Sequence, residues 1–453
     1  MAEEKRSSTP HLLTLPYPSQ GHINPLLQLS KSLASKGTKT TLATTIFIAK
    51  SFTTTHNTLV QFDTISDGFD EGGFSQADSI ESYLLHLQAA GSKSLADLIR
   101  RSKNSGHPID CIIYDAFLPW ALDVAKEFGL LAVAFFTQPC CVNYIYYLAY
   151  NGLLEVPGDK SSPVKIPGMP EMVMSDLPSF VAVAGSYPAY FELVLNQFYN
   201  VERADAIFVN TFYELEAELV DIMSAIYPTL TVGPTIPSKY FDERAPEDDD
   251  YGLDLFISSD SDLCADWLST KPEGSVVYVS FGSMAALSQD QMHEIAFALK
   301  LLDVYFLWVV RESEEPKLPQ NFVAETSGKG LLVKWCSQLE VLASEAVGCF
   351  LTHCGWNSTV EALSLGVPMV GMPQWTDQPT NAKFVEDVWQ VGKRVKVDEK
   401  GLVGREEIGL CITQVMKSRD LKENALKWRK MAQDAVCEGG SSDKSIDGFI
   451  SKL

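Results

Sequence analysis

Positive charge is scarce: 36 Lys and Arg stand against 58 Asp and Glu in 453 residues, a net charge of −22. That deficit argues against a broad electrostatic grip on nucleic acid or on an anionic membrane. It also means that a phosphate-bearing ligand must be held by local features. No two cysteines are spaced Cys-x-x-Cys. The nine are scattered at Cys111, Cys140, Cys141, Cys264, Cys336, Cys349, Cys354, Cys411 and Cys437. An odd number in a long chain speaks against a disulfide framework and for a reducing compartment. The opening MAEEKRSSTP lacks the basic-then-apolar run of a secretion signal. No run of about 18 uninterrupted apolar residues exists to span a bilayer. The cytoplasm is therefore the expected location. The closing Ser451-Lys452-Leu453 spells a peroxisomal address, the alternative location. It reads first as the end of an amphipathic helix whose apolar side is Ile446, Phe449 and Ile450. Several chemistries are missing too. Ser19-Gln20-Gly21-His22-Ile23-Asn24-Pro25 stands where a nicotinamide enzyme needs Gly-x-Gly-x-x-Gly, and there is no Gly-x-Ser-x-Gly elbow. An Asp-x-Asp, Asp260-Ser261-Asp262, falls in a polar linker and reads as a solvated loop.

What is present is globular: 46% hydrophobic and 21% charged residues. The length suits two domains. Strands are expected at 12–16, 39–44, 111–115, 130–136 and 206–210, with amphipathic helices between them. Pro25 is placed in the first turn of a helix whose face carries Leu26, Leu29 and Leu33 and which Gly37 ends. After a proline-broken, acidic stretch the rhythm restarts, with strands at 276–281, 305–310, 330–333, 349–352 and 367–372. The reading is α/β: an N-terminal Rossmann-like domain 1–236, a linker 237–262, a second Rossmann-like domain 263–435, and a C-terminal helix 436–453 packing back on the first. Two such doubly wound halves are expected to face one another across a cleft, with ligands at the carboxyl ends of their strands.

The densest cluster of unusual residues runs from Trp335 to Gln378. A strand ending at Thr352 delivers His353, Gly355, Trp356, Asn357 and Ser358, and a helix begins near Ser358. Strand, glycine turn and helix N-terminus together form an anion site. His353, Asn357 and Ser358 add side-chain donors. Trp335 offers a flat face to a base, Glu361 can take two ribose hydroxyls, and Asp377 with Gln378 suits sugar hydroxyls. Taken singly these residues suit a core or a polar loop; packing does not demand the whole polar set at strand ends.

This stretch resembles the 44-residue signature of plant secondary-product UDP-glycosyltransferases, from Trp-Cys-Ser-Gln through His-Cys-Gly-Trp-Asn-Ser to Trp-Thr-Asp-Gln. SQGHINP near the start and EGGSS at 438–442 extend the likeness over nearly the whole chain. The resemblance implies a GT-B fold, an inverting mechanism, and UDP-glucose as co-substrate with neither cofactor nor metal. It implies that Trp335 stacks on uracil, that Cys336 meets the uracil edge through its backbone, and that Gln338 and Glu361 hold the ribose. His353, Asn357 and Ser358 would hold the diphosphate, and Trp356, Asp377 and Gln378 the sugar. A closing Gln accompanies glucose in this family, where His accompanies galactose. Ser283 and Thr137 stand at positions that touch phosphate or sugar.

His22 follows the first strand and Asp115 ends a later one, so both are expected at the same edge of the sheet. An alcohol or phenol is a poor nucleophile until a base takes its proton, and a neutral imidazole suits that task near pH 7. A carboxylate behind it fixes the tautomer. The resemblance assigns these catalytic roles to His22 and Asp115. His11, His56, His86, His107 and His293 have no such setting. For the acceptor, YDAFLPW at 114–120 and ISDGFDEGGF at 65–74 resemble one plant subgroup. Its members glucosylate carboxylic acids, thiohydroximates, phenols, and terpenoid or steroid alcohols. Ser19, Phe117, Tyr187 and Met284 are the candidate pocket lining. A monomer is expected, with a small-molecule acceptor and neither nucleic acid nor membrane as partner.

Overall fold

The computed structural model describes residues 9–51, 59–154, 162–241, 251 and 261–453. Most of the expected linker, together with Asp260 and His56, lies outside the described residues. The chain divides into two compact units. Among described residues, 9–154, 183–241, 251 and 434–453 form the first, and 162–182 with 261–433 form the second. The expected 1–236 domain is thus interrupted: residues 162–182 cluster with the later half.

The first unit is built on a seven-stranded parallel sheet. Across it lie Val60–Ile65, Lys39–Thr45, His11–Leu15, Cys111–Asp115, Leu131–Phe136, Ala206–Val209 and Thr229–Thr231. Strands such as Cys111–Asp115 and Leu131–Phe136 are almost wholly buried and correspondingly apolar, as a sheet covered on both faces requires. The strand order reverses between His11–Leu15 and Cys111–Asp115, paired in register from Leu12↔Cys111 to Leu15↔Tyr114. One core joins Leu12, Leu26, Leu29, Leu33, Val133 and Phe208 to Ile446 and Phe449 of the helix Ser441–Ile450. Phe449 meets Phe208 edge-on at 4.9 Å, and Lys36 bridges Asp443 and Asp447 at 2.5 and 2.7 Å. Leu453 packs against the same core, while Ser451 and Lys452 are exposed.

The second unit holds a six-stranded parallel sheet in the order Gly330–Val333, Tyr305–Val309, Val276–Ser280, Val347–Thr352, Met369–Gly371, Gly392–Arg394. Its order reverses between Val276–Ser280 and Val347–Thr352, which end level at Ser280↔Thr352. A short antiparallel hairpin, Pro163–Val164 with Met172–Val173, belongs to this unit. Among the described residues no helix is long and apolar enough to cross a membrane.

Candidate active site

In an open parallel sheet, loops on either side of the order reversal part and leave a crevice at the carboxyl ends of the strands. Each unit has one such point, and each is furnished differently.

In the first unit the helix after His11–Leu15 starts at Gln20, not at Pro25, and runs to Ser35. Pro25 is therefore in its second turn, close enough to the start that its missing N–H removes only one early bond. The earlier start moves His22 out of a loop and into the first helical turn, its N–H bonded to the Ser19 carbonyl at 3.0 Å. From the neighbouring strand, Asp115 reaches His22 Nδ1 at 2.7 Å. The other Asp115 oxygen accepts the Phe117 N–H at 3.0 Å. A carboxylate only accepts, so Nδ1 carries the proton and Nε2 keeps its lone pair. Asp115 is 1% exposed and His22 16%, which leaves an edge of the ring accessible. Phe117 and Tyr17 flank the ring at 4.8 and 5.3 Å. Burial, then Tyr190 and Asp115, push the Tyr17 phenol far up, so it stays protonated. Thr137 stands 3.5 Å from Nδ1, too far to compete with the carboxylate. Tyr187 is exposed at the left-handed start of the helix Pro188–Asn196, and Met284, exposed too, belongs to the second unit. His11 shows the contrast: its two ring nitrogens meet the His107 carbonyl at 3.0 Å and Thr41 Oγ1 at 2.9 Å, a structural histidine.

In the second unit Val347–Thr352 leads to His353 and then to the helix Trp356–Leu365, two residues earlier than the sequence suggested. Trp356, Asn357 and Ser358 thus form its first turn, where backbone N–H groups lack intrahelical partners. Two glycines make room for the His353 ring. A Cβ on Gly282 would lie 2.8 Å from Nε2, and one on Gly355 2.6 Å. Gly282 also sits at φ +72°. Burial pushes the His353 pKa down to about 4, with Arg311 adding to the effect and a hydrogen bond to the Ser280 backbone opposing it. His353 is a neutral ring at pH 7. Arg311 donates to the carbonyls of Ser283 and Ala285 and so fixes the loop after Val276–Ser280.

Beside this turn lies a connected polar set. Gln338 Nε2 donates to Glu361 Oε2 at 2.7 Å and to Ser358 Oγ at 2.8 Å, and Tyr278 Oη donates to Gln338 Oε1 at 3.2 Å. Trp335 is half-buried; Cys336 is buried, its thiol raised by a hydrogen bond with Cys264 and then by burial. The Trp356 ring belongs to the interior, 6.0 Å from Trp389. What it offers the site is its backbone, which bonds Asp377. Burial raises the Asp377 pKa to about 6 against the hydrogen bonds from its own backbone, Asn381, Thr376 and Trp356. Gln378 Oε1 accepts the N–H groups of Gln374 and Trp375 at 2.8 and 3.1 Å. That turns its amide nitrogen away from the loop. Between them, Thr376 sits at φ +56°, a strained conformation for a β-branched residue, costing ~1–3 kcal/mol. Sequence reasoning missed Tyr278, Gly282, Arg311 and Asn381; only the glycine, two residues past an apolar strand, carried a local signal. Among the described residues no group of three or more His, Cys, Asp or Glu is arranged to hold a metal ion.

Residues 258–439 match the family described as UDP-glucoronosyl and UDP-glucosyl transferase. The chain is similar to UDP-glycosyltransferase 74F2 of Arabidopsis thaliana, 53% identical over all of this chain and 99% of that one. It is 51% identical to the flavonol 7-O-beta-glucosyltransferase UGT74F1 of the same plant, over 98% of each. The crystal structure of Os79 from O. sativa in complex with UDP superposes with TM-score 0.92 at 39% identity, over 97% of this chain and 99% of that one.

Proposed function

The chain belongs to the UDP-glycosyltransferase family of plant secondary-product enzymes, with the GT-B fold, and we propose that it is an inverting UDP-glucose-dependent glucosyltransferase. Its acceptor is a hydroxyl or carboxyl of a small lipophilic plant metabolite. The observation that carries the reading is the 2.7 Å contact of His22 Nδ1 with buried Asp115, which leaves Nε2 free to take a proton.

The step balances as a single displacement. The acceptor oxygen attacks C1 of the glucosyl group as its proton passes to His22 Nε2. The bond from C1 to the phosphate oxygen breaks, and UDP leaves with that electron pair. One displacement converts the α-linked donor into a β-glucoside. Asp115 holds the imidazole by Nδ1 and stabilises the imidazolium that forms. Phe117 and Tyr17 beside the ring suit an apolar, aromatic acceptor, and the flavonol acceptor in the name of one relative agrees with a phenolic class.

The donor falls to the second unit. Trp335 takes the uracil face and the Cys336 backbone its edge; Gln338 and Glu361, already joined by a hydrogen bond, take the ribose. The first-turn N–H groups of Trp356–Leu365, neutral His353, Asn357 and Ser358 receive the diphosphate. Asp377 and the Gln378 amide grip the sugar. No metal is assigned, because N–H donors and the helix N-terminus meet the leaving-group charge. The test is turnover of UDP-glucose and UDP-galactose side by side on a phenol, an alcohol and an aromatic acid, with and without EDTA. The reading expects β-glucoside formation, preference for glucose and an unchanged rate in EDTA. UDP binding without turnover on any acceptor would instead mark a UDP-sugar-binding protein.

A further inference from the structure

The strained residue next to the proposed sugar-binding pair is held from a distant part of the chain. Residues 162–182, although flanked in sequence by the first unit, belong to the second. Within it, Ser179 engages Thr376 from both sides. The Thr376 N–H donates to Ser179 Oγ at 2.7 Å, and the Ser179 N–H donates to the Thr376 carbonyl at 2.8 Å. Thr376 is the residue at φ +56°, and its hydroxyl in turn bonds the Asp377 carboxylate. The neighbouring contacts point the same way. Thr380 Oγ1 donates to the Asp176 carbonyl at 2.7 Å, and Phe180 meets Trp375 edge-on at 5.8 Å. Asp176 is itself anchored, 1% exposed, accepting Arg394 Nη1 at 2.5 Å and the Val173 N–H at 2.9 Å.

Left to itself a threonine abandons the left-handed region, and the peptides on either side of it rotate. Rotation at Thr376 would carry the Asp377 carboxylate away from Asn381 and Trp356. It would also break the loop geometry in which Gln378 Oε1 receives two backbone donors. Strain of this kind persists only where surroundings over-determine it, and it clusters at ligand-gripping sites. We propose that Ser179, on the anchored segment 162–182, is a positioning residue that fixes Thr376 and thereby sets the sugar specificity of Asp377 and Gln378. The proposal rests on the reading that those two residues hold the hexose.

Four proteins decide it: the parent, Ser179→Ala, Ser179→Thr and Gln378→Ala. Each is measured for UDP binding by calorimetry and for kcat/KM with UDP-glucose and UDP-galactose. Ser179→Ala removes the acceptor for the Thr376 N–H, and loss of one such bond in a packed loop corresponds to roughly ten-fold. The expected result is UDP affinity within two-fold of the parent, kcat/KM for UDP-glucose down about ten-fold, and glucose-over-galactose preference falling toward that of Gln378→Ala. Ser179→Thr, which keeps the hydroxyl, restores most of the preference. A Ser179→Ala protein that keeps its preference while Gln378→Ala loses it would overturn the positioning role. So would a parallel loss of UDP affinity, the mark of a merely structural contact. Retention of preference by Gln378→Ala would overturn the underlying sugar-contact reading, and the inference with it.

Discussion

The two order reversals are the same device in two sheets, furnished for opposite tasks. At the first, a histidine is backed by a buried carboxylate at 2.7 Å, the arrangement that lets a ring accept a proton and carry the charge. At the second, a histidine stands between two glycines with burial and Arg311 holding its pKa down to about 4, the arrangement that keeps a ring neutral. In the proposed function one histidine has to change its protonation state and the other only donates. The surroundings of each ring, not the residue type, make the difference: a buried carboxylate at one, burial and then Arg311 at the other. On the same proposal, the acidic chain receives a diphosphate through N–H groups rather than through a field of cations.

Four experiments test that contrast. The largest effect is expected from His22→Ala with an alcohol acceptor. General-base help is worth roughly 10²–10⁴-fold, so kcat/KM falls by that order while the UDP Kd stays within about two-fold. A matching loss of UDP affinity would end the division of labour. Gly282→Ala is the converse. Its Cβ would press on His353 and its φ of +72° disfavours a side chain, so UDP affinity falls roughly ten-fold or more, by ~1–3 kcal/mol. Unchanged UDP titrations would show that the space between the glycines is not used.

Asp377→Asn tests the buried carboxylate through stability. Its folded pKa of about 6 lies above the ordinary 3.8. The protonated form is therefore favoured in the fold, and its stability contribution is complete below 3.8 and lost as pH rises through about 6. The variant has no such loss. Its unfolding free energy relative to the parent gains ~3 kcal/mol between pH 3 and 7, while kcat/KM for UDP-glucose falls. A pH-independent difference in denaturant midpoints would contradict the raised pKa. His353 works in the opposite sense: with its pKa depressed from 6.5 to about 4, stability is lost as pH falls through about 4. The smallest effect follows from it. A bound diphosphate favours the charged ring, so UDP binding at pH 5–6 should take up a fraction of a proton, read as a buffer-dependent heat of binding. An uptake of zero in every buffer would place the phosphates away from His353.

Much of this arrangement was legible in the sequence. Apolar strands such as Cys111–Asp115 and Val276–Ser280 announce themselves by composition, and His22, Asp115 and His353 follow because they stand at or just beyond strand ends. What proved illegible was tertiary. Pro25 suggested a helix start, but the helix begins at Gln20, where the Ser19 carbonyl already accepts the His22 and Ile23 N–H groups. Thr229–Thr231 and Gly392–Arg394 are too short to show a period. Ser179 and Thr376 lie 197 residues apart, and no local pattern in DLPSF foretells that the segment is captured by the second sheet. The resemblance assigns Trp356 to the sugar as a residue; that its ring packs on Trp389 and leaves its backbone at the site is visible only in three dimensions.

His22 is proposed to remove the acceptor's proton, and the acidity of the acceptor bears on that role without intermediary. A carboxylic acid, with a pKa near 4, is already ionised at pH 7, a phenol is not, and an aliphatic alcohol is further still from ionising. The measurement is kcat/KM of His22→Ala relative to parent on one acceptor of each kind. The greatest fractional loss is expected on the alcohol, less on the phenol and least on the carboxylate, with Asp115→Ala in the same order but milder. Equal fractional losses on all three would show that His22 only positions the acceptor, and the general-base role would be wrong.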